Sequence, residues 1–239
     1  MPPSGSASST RRIGGDQYIA RPQVWRPGRS APWAQVAAVQ PELSVEDVLG
    51  GVARFDPDHP LNPPFADSRP AAVLIALLDG PHGAEVLVTR RSRHLSHHRG
   101  EMSFPGGRID VGESPLEAAL REAREEVGLD SALVEARGGL DHLNTLVSRS
   151  YIVPIVGRLT EQPVLTPSPS EVERILFVPL ADLARPGTHR EERWGAPPND
   201  VAIQFFELDD ETIWGATGRM LFQLLCLAYR VDPGSVIVG

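Results

Sequence analysis

Three glutamates on one stripe of a predicted helix point most directly to chemistry. Glu122, Glu125 and Glu126 fall between Pro115 and Gly128, and at 100° per residue they span an arc of about 100°. Like charges three or four residues apart destabilise a helix by about 0.2–0.5 kcal/mol per pair. A stripe that carries this cost predicts that a cation binds there; the alternative is a solvated, glutamate-rich surface helix.

The residues around the stripe predict where this helix begins and ends. Ser114 is a favourable N-cap, Pro115 suits the first helical position, and Glu117 completes a capping box. Gly128 suits the left-handed position after the last turn. An apolar arc beside the carboxylates consists of Leu116, Ala119, Leu120, Ala123 and Val127. The helix can therefore bury one face while the glutamates border a cleft.

Clustered carboxylates also select a class of metal ion and a class of reaction. Oxygen ligands suit hard cations such as Mg²⁺ or Mn²⁺, whereas Zn²⁺ prefers cysteine and histidine. Such ions bind diphosphate oxygens, neutralise developing charge and lower the pKa of a bound water. Hydrolysis of a phosphoanhydride needs this positioning and charge stabilisation more than covalent catalysis. The stripe is therefore typical of metal-dependent diphosphate hydrolysis.

The spacing of this segment resembles the Nudix box. Gly107 is followed at the family's intervals by Glu113, the pair Arg121-Glu122, the pair Glu125-Glu126, Gly128 and Leu129. Ala123 is small where that family often has a larger aliphatic residue. The resemblance implies an α+β fold, the Nudix-type α/β/α sandwich with a mixed β-sheet.

The resemblance also implies roles for the matching residues. Glu122 and Glu126 would be the metal ligands, with Glu125 as a further ligand or an activator of water through the metal. The Gly107 carbonyl would be an extra ligand. Arg121 would orient a glutamate, such as Glu113, by a bidentate contact.

A basic stretch before the box bears on the substrate. The segment 87–107 resembles the second motif of the coenzyme A diphosphatase branch of the Nudix family, although Ser96 stands where that motif usually has arginine. Seven of the ten residues 90–99 are arginine or histidine, in a chain of net charge −8. A positive loop suits the 3′-phosphate of coenzyme A; the alternative is a solvated basic turn. The predicted substrate-binding residues are Arg91, Ser92, Arg93, Arg99, Gly106 and Gly107.

One acidic residue outside the box is also a candidate for the site. Glu171 follows Pro167-Ser168-Pro169-Ser170, in a loop that could reach the metal. We predict that Glu171 is a metal ligand or a general base. The alternative is an acidic residue in a surface loop.

By resemblance we expect a Mg²⁺- or Mn²⁺-dependent diphosphatase that cleaves coenzyme A and its thioesters. The products would be adenosine 3′,5′-bisphosphate and a 4′-phosphopantetheine compound. Two other functions stay open. One is a Nudix diphosphatase for another nucleoside diphosphate compound, such as ADP-ribose, a dinucleotide or an oxidised nucleotide. The other is a non-catalytic Nudix module that binds a nucleotide and reports it to a partner.

Composition divides the chain into four parts. Residues 1–40, rich in proline, serine, glycine and arginine, are predicted to be largely disordered. Residues 41–65 are predicted to form a short helix and a proline-rich linker. Residues 66–230 are predicted to form the Nudix hydrolase domain, and 231–239 a C-terminal tail.

Apolar periodicity and turn residues predict the elements of that domain. Strands are predicted at 71–78, 85–91, 134–138, 143–146, 152–159, 175–178 and 203–208. Helices are predicted at 44–55 and 216–230, beside the box helix, and 186–199 is predicted to be a polar loop. Trp214 is predicted to pack before the last helix.

The remaining composition excludes several classes of protein. The single cysteine, Cys226, excludes an internal disulfide and lies among apolar residues. The chain has no lysine, so a P-loop or Schiff-base mechanism has no residue to use. No apolar run is long enough to span a bilayer and residues 1–15 have no hydrophobic signal core, so we expect a cytoplasmic protein without a membrane partner. A pI near 5.4 argues against general nucleic-acid binding; a homodimer is among the assemblies that the sequence allows.

Overall fold

The computed structural model describes residues 15, 17–56, 68–95, 97–145 and 149–233. In chain order, the strands are β1 (Trp25–Pro27), β2 (Arg69–Gly80), β3 (Gly83–Arg91), β4 (Met102–Ser103), β5 (Gly106–Arg108), β6 (Val134–Gly139), β7 (Leu143–Asn144), β8 (Ser150–Leu159), β9 (Val172–Pro179), β10 (His189–Trp194), β11 (Val201–Glu207) and β12 (Thr212–Trp214). The helices are α1 (Ala34–Val39), α2 (Val45–Val52), α3 (Pro115–Val127), α4 (Leu180–Ala184) and α5 (Gly215–Ala228).

The larger of two sheets is mixed and contains strands β2 to β9. β2 pairs with β3 in an antiparallel hairpin and with β8 in parallel. The hairpin pairs only close to its turn, from Leu77 to Val86. Beyond that point β4 pairs with β3 and β5 pairs with β2, so these two short strands fill the gap where the hairpin separates. The box segment therefore enters its helix from inside the sheet.

Helices cover both faces of the mixed sheet. Alternate residues of a strand point to opposite faces, and the buried residues of β2 divide in this way between two cores. Ala72, Leu74, Ala76 and Leu78 pack with α3, whereas Ile75 and Leu77 pack with α2, α4 and α5. The result is the predicted α/β/α sandwich.

The predicted capping of the box helix is confirmed. The Ser114 hydroxyl accepts the Glu117 backbone N–H, and the Glu117 carboxylate accepts the Ser114 backbone N–H. Pro115 occupies the first turn. Gly128 ends the helix in a left-handed conformation, with φ of 70°. These local contacts fix both ends of the helix that carries the glutamate stripe.

The prediction of disorder for residues 1–40 is wrong for the part that contains β1 and α1. Trp33 precedes α1 and is 0% exposed. Its ring stacks on Phe206 at a centroid distance of 6.2 Å and contacts Phe222 and His189. The polar composition of this segment conceals one large apolar anchor, which contributes enough burial to order the neighbouring backbone. Residues 1–14 lie outside the described residues.

The predicted polar loop at 186–199 is also wrong, because β10 lies inside it. β10 pairs with β1 and β11 in a second sheet with the order β1-β10-β11-β12. Its Glu191 and Glu192 are buried. Arg29 pairs with Glu191, and Arg21 and Arg190 pair with Glu192. Arginine partners allow the charged residues of β10 to be buried. A search for apolar residues in the sequence therefore does not find this strand.

The other predicted elements occur with shifted ends. The strand predicted at 143–146 is β7, and its last predicted residue lies outside the described residues, as do 57–67 of the linker and 234–239 of the tail. Trp214 stacks on Phe205 at 6.1 Å, so its predicted packing role is confirmed.

Cys226 is buried, and burial raises the pKa of its thiol to about 12. In the part of the chain that is described, no helix has the length and apolar character required to cross a membrane.

The position of Trp33 predicts a large contribution to stability. Trp33→Ala should lower the free energy of unfolding by about 3–5 kcal/mol, because it leaves a cavity beside Phe206 and Phe222. Val39→Ala is the matched control, since Val39 lies on the adjoining helix and is 88% exposed. Urea denaturation measures both variants. Equal midpoints for the two would show that the N-terminal segment is not part of the core.

Candidate functional site

The glutamate stripe lies where β5 packs against α3. Gly106 and Gly107 pair with Val73 and Ala72 of β2. A β-carbon on Gly106 would lie 2.3 Å from the Ala72 carbonyl oxygen, and one on Gly107 would lie 2.4 Å from Oε1 of Glu122. Glycine at 106 therefore permits the close pairing with β2, and glycine at 107 permits the Glu122 carboxylate to rest on the strand.

Glu126 is the buried member of the stripe. Its side chain accepts a hydrogen bond from the Gly106 backbone N–H at 3.3 Å, and the residue is only 4% exposed. The nearest cation is Arg91, with Nη1 3.7 Å from Oε1 of Glu126. Burial raises the pKa of Glu126 to about 7, although Arg91 and the Gly106 N–H act in the opposite direction. The carboxylate thus lies in a place that disfavours its own charge.

Glu122 lies one turn earlier and is partly buried. Burial is the main cause that raises the pKa of its carboxyl, and hydrogen bonding and charge attraction from Arg121 oppose it. The negative charges of Glu125 and Glu171 raise this pKa further. Glu171 raises the pKa of Glu126 in the same way, after larger contributions. The carboxylates repel one another across a small space, as expected of a site that binds a cation.

Arg121 connects the stripe to the loop that precedes the helix. Its guanidinium donates to both carboxylate oxygens of Glu113, at 2.9 and 3.1 Å, so the predicted bidentate contact is present. It also donates to Glu122 at 2.9 Å, to Glu125 at 3.2 Å and to the Arg108 carbonyl at 2.9 Å. The hydrogen bonds from Arg121 hold the pKa of Glu113 below its usual value. Arg121 therefore orients the first half of the box.

Glu125 is separated from the buried end of the stripe. Its side chain is 58% exposed and contacts Arg121. In this arrangement Glu125 does not lie against β5, in contrast to Glu122 and Glu126. Its predicted role as a ligand or an activator of water stays a prediction, as does that of the Gly107 carbonyl.

Glu171 is brought to the site by the loop before β9. The Ser168 N–H donates to the Glu126 carbonyl at 2.8 Å, and the Thr166 N–H donates to the Val127 carbonyl at 2.9 Å. These bonds tie the loop to the last turn of α3. The Ser92 N–H donates to the Glu171 carbonyl at 2.7 Å. Glu171 therefore lies between the helix and the basic turn.

The predicted substrate-binding residues in the basic turn between β3 and β4 differ in burial and in their partners. Arg91 faces Glu126, and the Arg91 Nε is buried without a hydrogen-bond partner. Ser92 is buried and accepts the His94 backbone N–H through its hydroxyl. Arg93 is half exposed with its Nε 3.6 Å from Glu173, and Arg99 is exposed. Ser96 lies outside the described residues.

Acidic partners compensate part of the charge of this turn. Arg90 contacts Glu211 and, at 4.0 Å, Glu173. His98 donates to or accepts from Glu101 at 2.9 Å. The sequence did not indicate Glu173 or Glu211 as neighbours of the turn, because they lie 83 and 121 residues from Arg90 along the chain. No local pattern near either glutamate would have found them.

The site fits a hard cation in its donor chemistry. Glu122 and Glu126 offer carboxylate oxygens, and their mutual repulsion would be relieved by a divalent ion. Among the described residues, no group of three or more acidic, histidine or cysteine side chains is already arranged to hold a metal. The reason is visible at Arg121, which holds Glu122 and Glu125 by hydrogen bonds.

Comparison with known proteins bears on the same region. The family model described as the NUDIX domain matches residues 68–198, more than half of the chain. The chain is 34% identical to "Nudix hydrolase 22, chloroplastic" of Arabidopsis thaliana over 70% of its own length and 58% of that protein. It is 33% identical to "Nudix hydrolase 3" of Caenorhabditis elegans over 71% and 78% of the two chains. It therefore spans less than two thirds of the Arabidopsis relative but most of the nematode one.

A bacterial relative has the same family name. The "Uncharacterized Nudix hydrolase NudL" of Yersinia enterocolitica is 33% identical over 72% of this chain and 89% of its own length. A MutT/nudix family protein from Enterococcus faecalis superposes with a TM-score of 0.45 at 15% identity, over 82% of this chain and 74% of that one. With the family model matched across β2 to β10 and the box residues gathered at β5, the chain belongs to the Nudix family.

Proposed function

We propose that this chain hydrolyses a phosphoanhydride bond of a nucleoside diphosphate compound, with Mg²⁺ or Mn²⁺ held by Glu122 and Glu126. The observation that carries this proposal is the buried Glu126 carboxylate, which faces Arg91 at 3.7 Å without a hydrogen bond to it. Burying a carboxylate that has only a long ion pair and one hydrogen bond to oppose the loss of water is costly, and a metal ion would offset that cost. A purely structural role for Glu126 would not need this arrangement.

Different residues of the site would supply the separate requirements of such a reaction. A bound divalent ion would neutralise the diphosphate and make a bound water more acidic. Arg91 can donate its unpartnered Nε–H to a diphosphate oxygen. Arg121 keeps Glu122 in place, while Glu171 and Glu125 are the candidates to accept a proton from water. Positioning and electrostatics would thus supply the main part of the catalysis.

Coenzyme A and its thioesters are the substrates that we propose. The basis is the resemblance of the segment 87–107 to the coenzyme A diphosphatase motif, together with the position of that segment beside the glutamates. Exposed Arg93 and Arg99 lie on the same turn as Arg91. They would bind the additional 3′-phosphate, which distinguishes coenzyme A from most nucleoside diphosphate compounds, with Arg93 leaving its contact with Glu173.

A second candidate is a diphosphatase for a nucleotide without the 3′-phosphate, such as ADP-ribose or a dinucleotide. The acidic partners of the turn favour it, because Glu173 and Glu211 already compensate charge on Arg90 and Arg93. The two candidates share the metal site and differ only in what the turn recognises.

Product analysis distinguishes the two candidates. With Mg²⁺ or Mn²⁺, we expect adenosine 3′,5′-bisphosphate from coenzyme A and acetyl coenzyme A, and little product from dephospho-coenzyme A, ADP-ribose or NADH. Chromatography with mass detection measures all five substrates. Preferred release of AMP from ADP-ribose or NADH would keep the diphosphatase chemistry and reject the coenzyme A assignment.

Replacing the buried carboxylate tests the metal site. Glu126→Gln should lower kcat by about a hundredfold or more, since it removes a ligand whose charge stabilisation acts on the transition state. The fold should persist, because glutamine retains the shape of the side chain. Glu161→Gln is the control, at an exposed position. Steady-state kinetics and thermal unfolding measure both variants, and retained activity in Glu126→Gln would refute the assignment.

The raised pKa of Glu126 predicts proton release on metal binding. Without metal, the carboxyl with a pKa of about 7 is mainly protonated at pH 6 and mainly ionised at pH 8. A metal ion requires the ionised form, so binding should release about one proton per ion at pH 6 and few at pH 8. Calorimetry in buffers of different ionisation enthalpy measures this number. Equal proton release at both pH values, or no decrease in Glu126→Gln, would contradict the prediction.

A further inference from the structure

A buried carboxylate outside the box joins the second sheet to the basic turn. Glu211 precedes β12 and is 2% exposed. Its Oε1 lies 3.2 Å from Nη1 of Arg90 and 3.0 Å from Nη1 of Arg174. Its carbonyl accepts the Leu208 N–H, which closes the turn between β11 and β12. One carboxylate therefore links this turn to β3 and β9.

The residue that Glu211 holds is adjacent to the arginine of the candidate site. Arg90 and Arg91 are the last two residues of β3, and the register with β9 shifts between them. A bulge of this kind re-aims side chains and occurs next to active sites. Arg90 contacts Glu211 on one side, and Arg91 faces Glu126 on the other. The direction of Arg91 thus depends on how Arg90 is held, through its pairing with Met102 and Arg174 and through the ion pair of its side chain with Glu211.

Two other acidic residues, Asp210 and Glu173, contact Arg174 and Arg90 but hold them less firmly than Glu211 does. Asp210 accepts a hydrogen bond from Arg174 at 2.6 Å, but its side chain is 61% exposed. The side chain of Glu173 is 42% exposed and reaches Arg90 only at 4.0 Å. Exposed ion pairs contribute little to holding a geometry, whereas a buried carboxylate with two arginine partners restricts both. Among these three carboxylates, Glu211 is therefore the strongest restraint on Arg90.

We propose that Glu211 is a positioning residue, which fixes Arg90 through their ion pair and thereby aims Arg91 at Glu126 and the bound diphosphate. This proposal rests on the proposed function. The second sheet then has a part in catalysis, although Glu211 itself touches neither metal nor substrate. Its action should pass through Arg91 alone.

A double-mutant cycle tests the route through Arg91. Glu211→Gln should lower kcat/KM about tenfold, within the range of coupling between residues that share a network. In the Arg91→Gln background, the same change should lower kcat/KM by less than about twofold, because the arginine side chain that Glu211 orients is absent. Additive effects of the two substitutions would overturn the proposal, since loss of stability would lower activity in either background.

Two further variants serve as controls for folding and charge. Arg90→Gln removes the other member of the pair and leaves Glu211 bound to Arg174. It should reproduce the effect of Glu211→Gln even if the latter folds poorly. Asp210→Asn removes a neighbouring charge that shares Arg174 and should change kcat/KM by less than about twofold. An effect of Asp210→Asn equal to that of Glu211→Gln, or normal activity in Arg90→Gln, would contradict the proposal.

A measurement without turnover separates this proposal from the proposed function. The buried Nε–H of Arg91 should give a slowly exchanging signal in the ¹⁵N spectrum, identified by its loss in Arg91→Gln. The signal should exchange faster in Glu211→Gln and Arg90→Gln but not in Asp210→Asn. An unchanged signal would overturn the positioning role. If the signal responds while the wild type cleaves no diphosphate, the proposed function fails and the positioning contact stands.

Discussion

The close contact between α3 and β5 is the constraint on which the site depends. Gly107 lacks a side chain, so the Glu122 carboxylate can lie against the strand; Gly106 lacks one as well, so it can pair closely with β2 while its N–H donates to Glu126. That contact also requires the β2–β3 hairpin to separate, because β5 pairs with β2 in the gap. The same separation lets β4 pair with the end of β3, where Arg91 faces Glu126. Geometry and charge at the site thus follow from one glycine-dependent approach of a helix to a strand.

Arginine contacts distinguish the glutamates of the box from one another. Arg121 holds Glu113, Glu122 and Glu125 by hydrogen bonds, whereas Glu126 has Arg91 at a longer distance. The three glutamates of the stripe, Glu122, Glu125 and Glu126, therefore differ in environment. Burial raises the pKa of Glu126 to about 7, whereas the side chain of Glu125 is 58% exposed. The glutamates of the stripe therefore differ in burial, and Glu126 is the most buried of them.

Local signals predicted the elements whose residues show their environment directly. The caps of α3 and the strands of the mixed sheet follow from short-range hydrogen bonding and from apolar runs that must be buried. The N-terminal segment and β10 were misjudged for the opposite reason. Trp33 is a single anchor in a polar segment, and Glu191 is buried because Arg29 reaches it from 162 residues away. A pattern of adjacent residues carries no information on such pairs.

The sequence by itself determined the family, the box helix with its capped ends, and the class of metal that its carboxylates suit. Only the tertiary structure decided which glutamate is buried, that Arg91 is the arginine of the turn that faces it, and that Glu171 and Glu211 border the same region. The physical reason is the range of the interactions. Helix caps and box spacing act within a few residues, whereas burial and charge pairing join segments that only folding brings together.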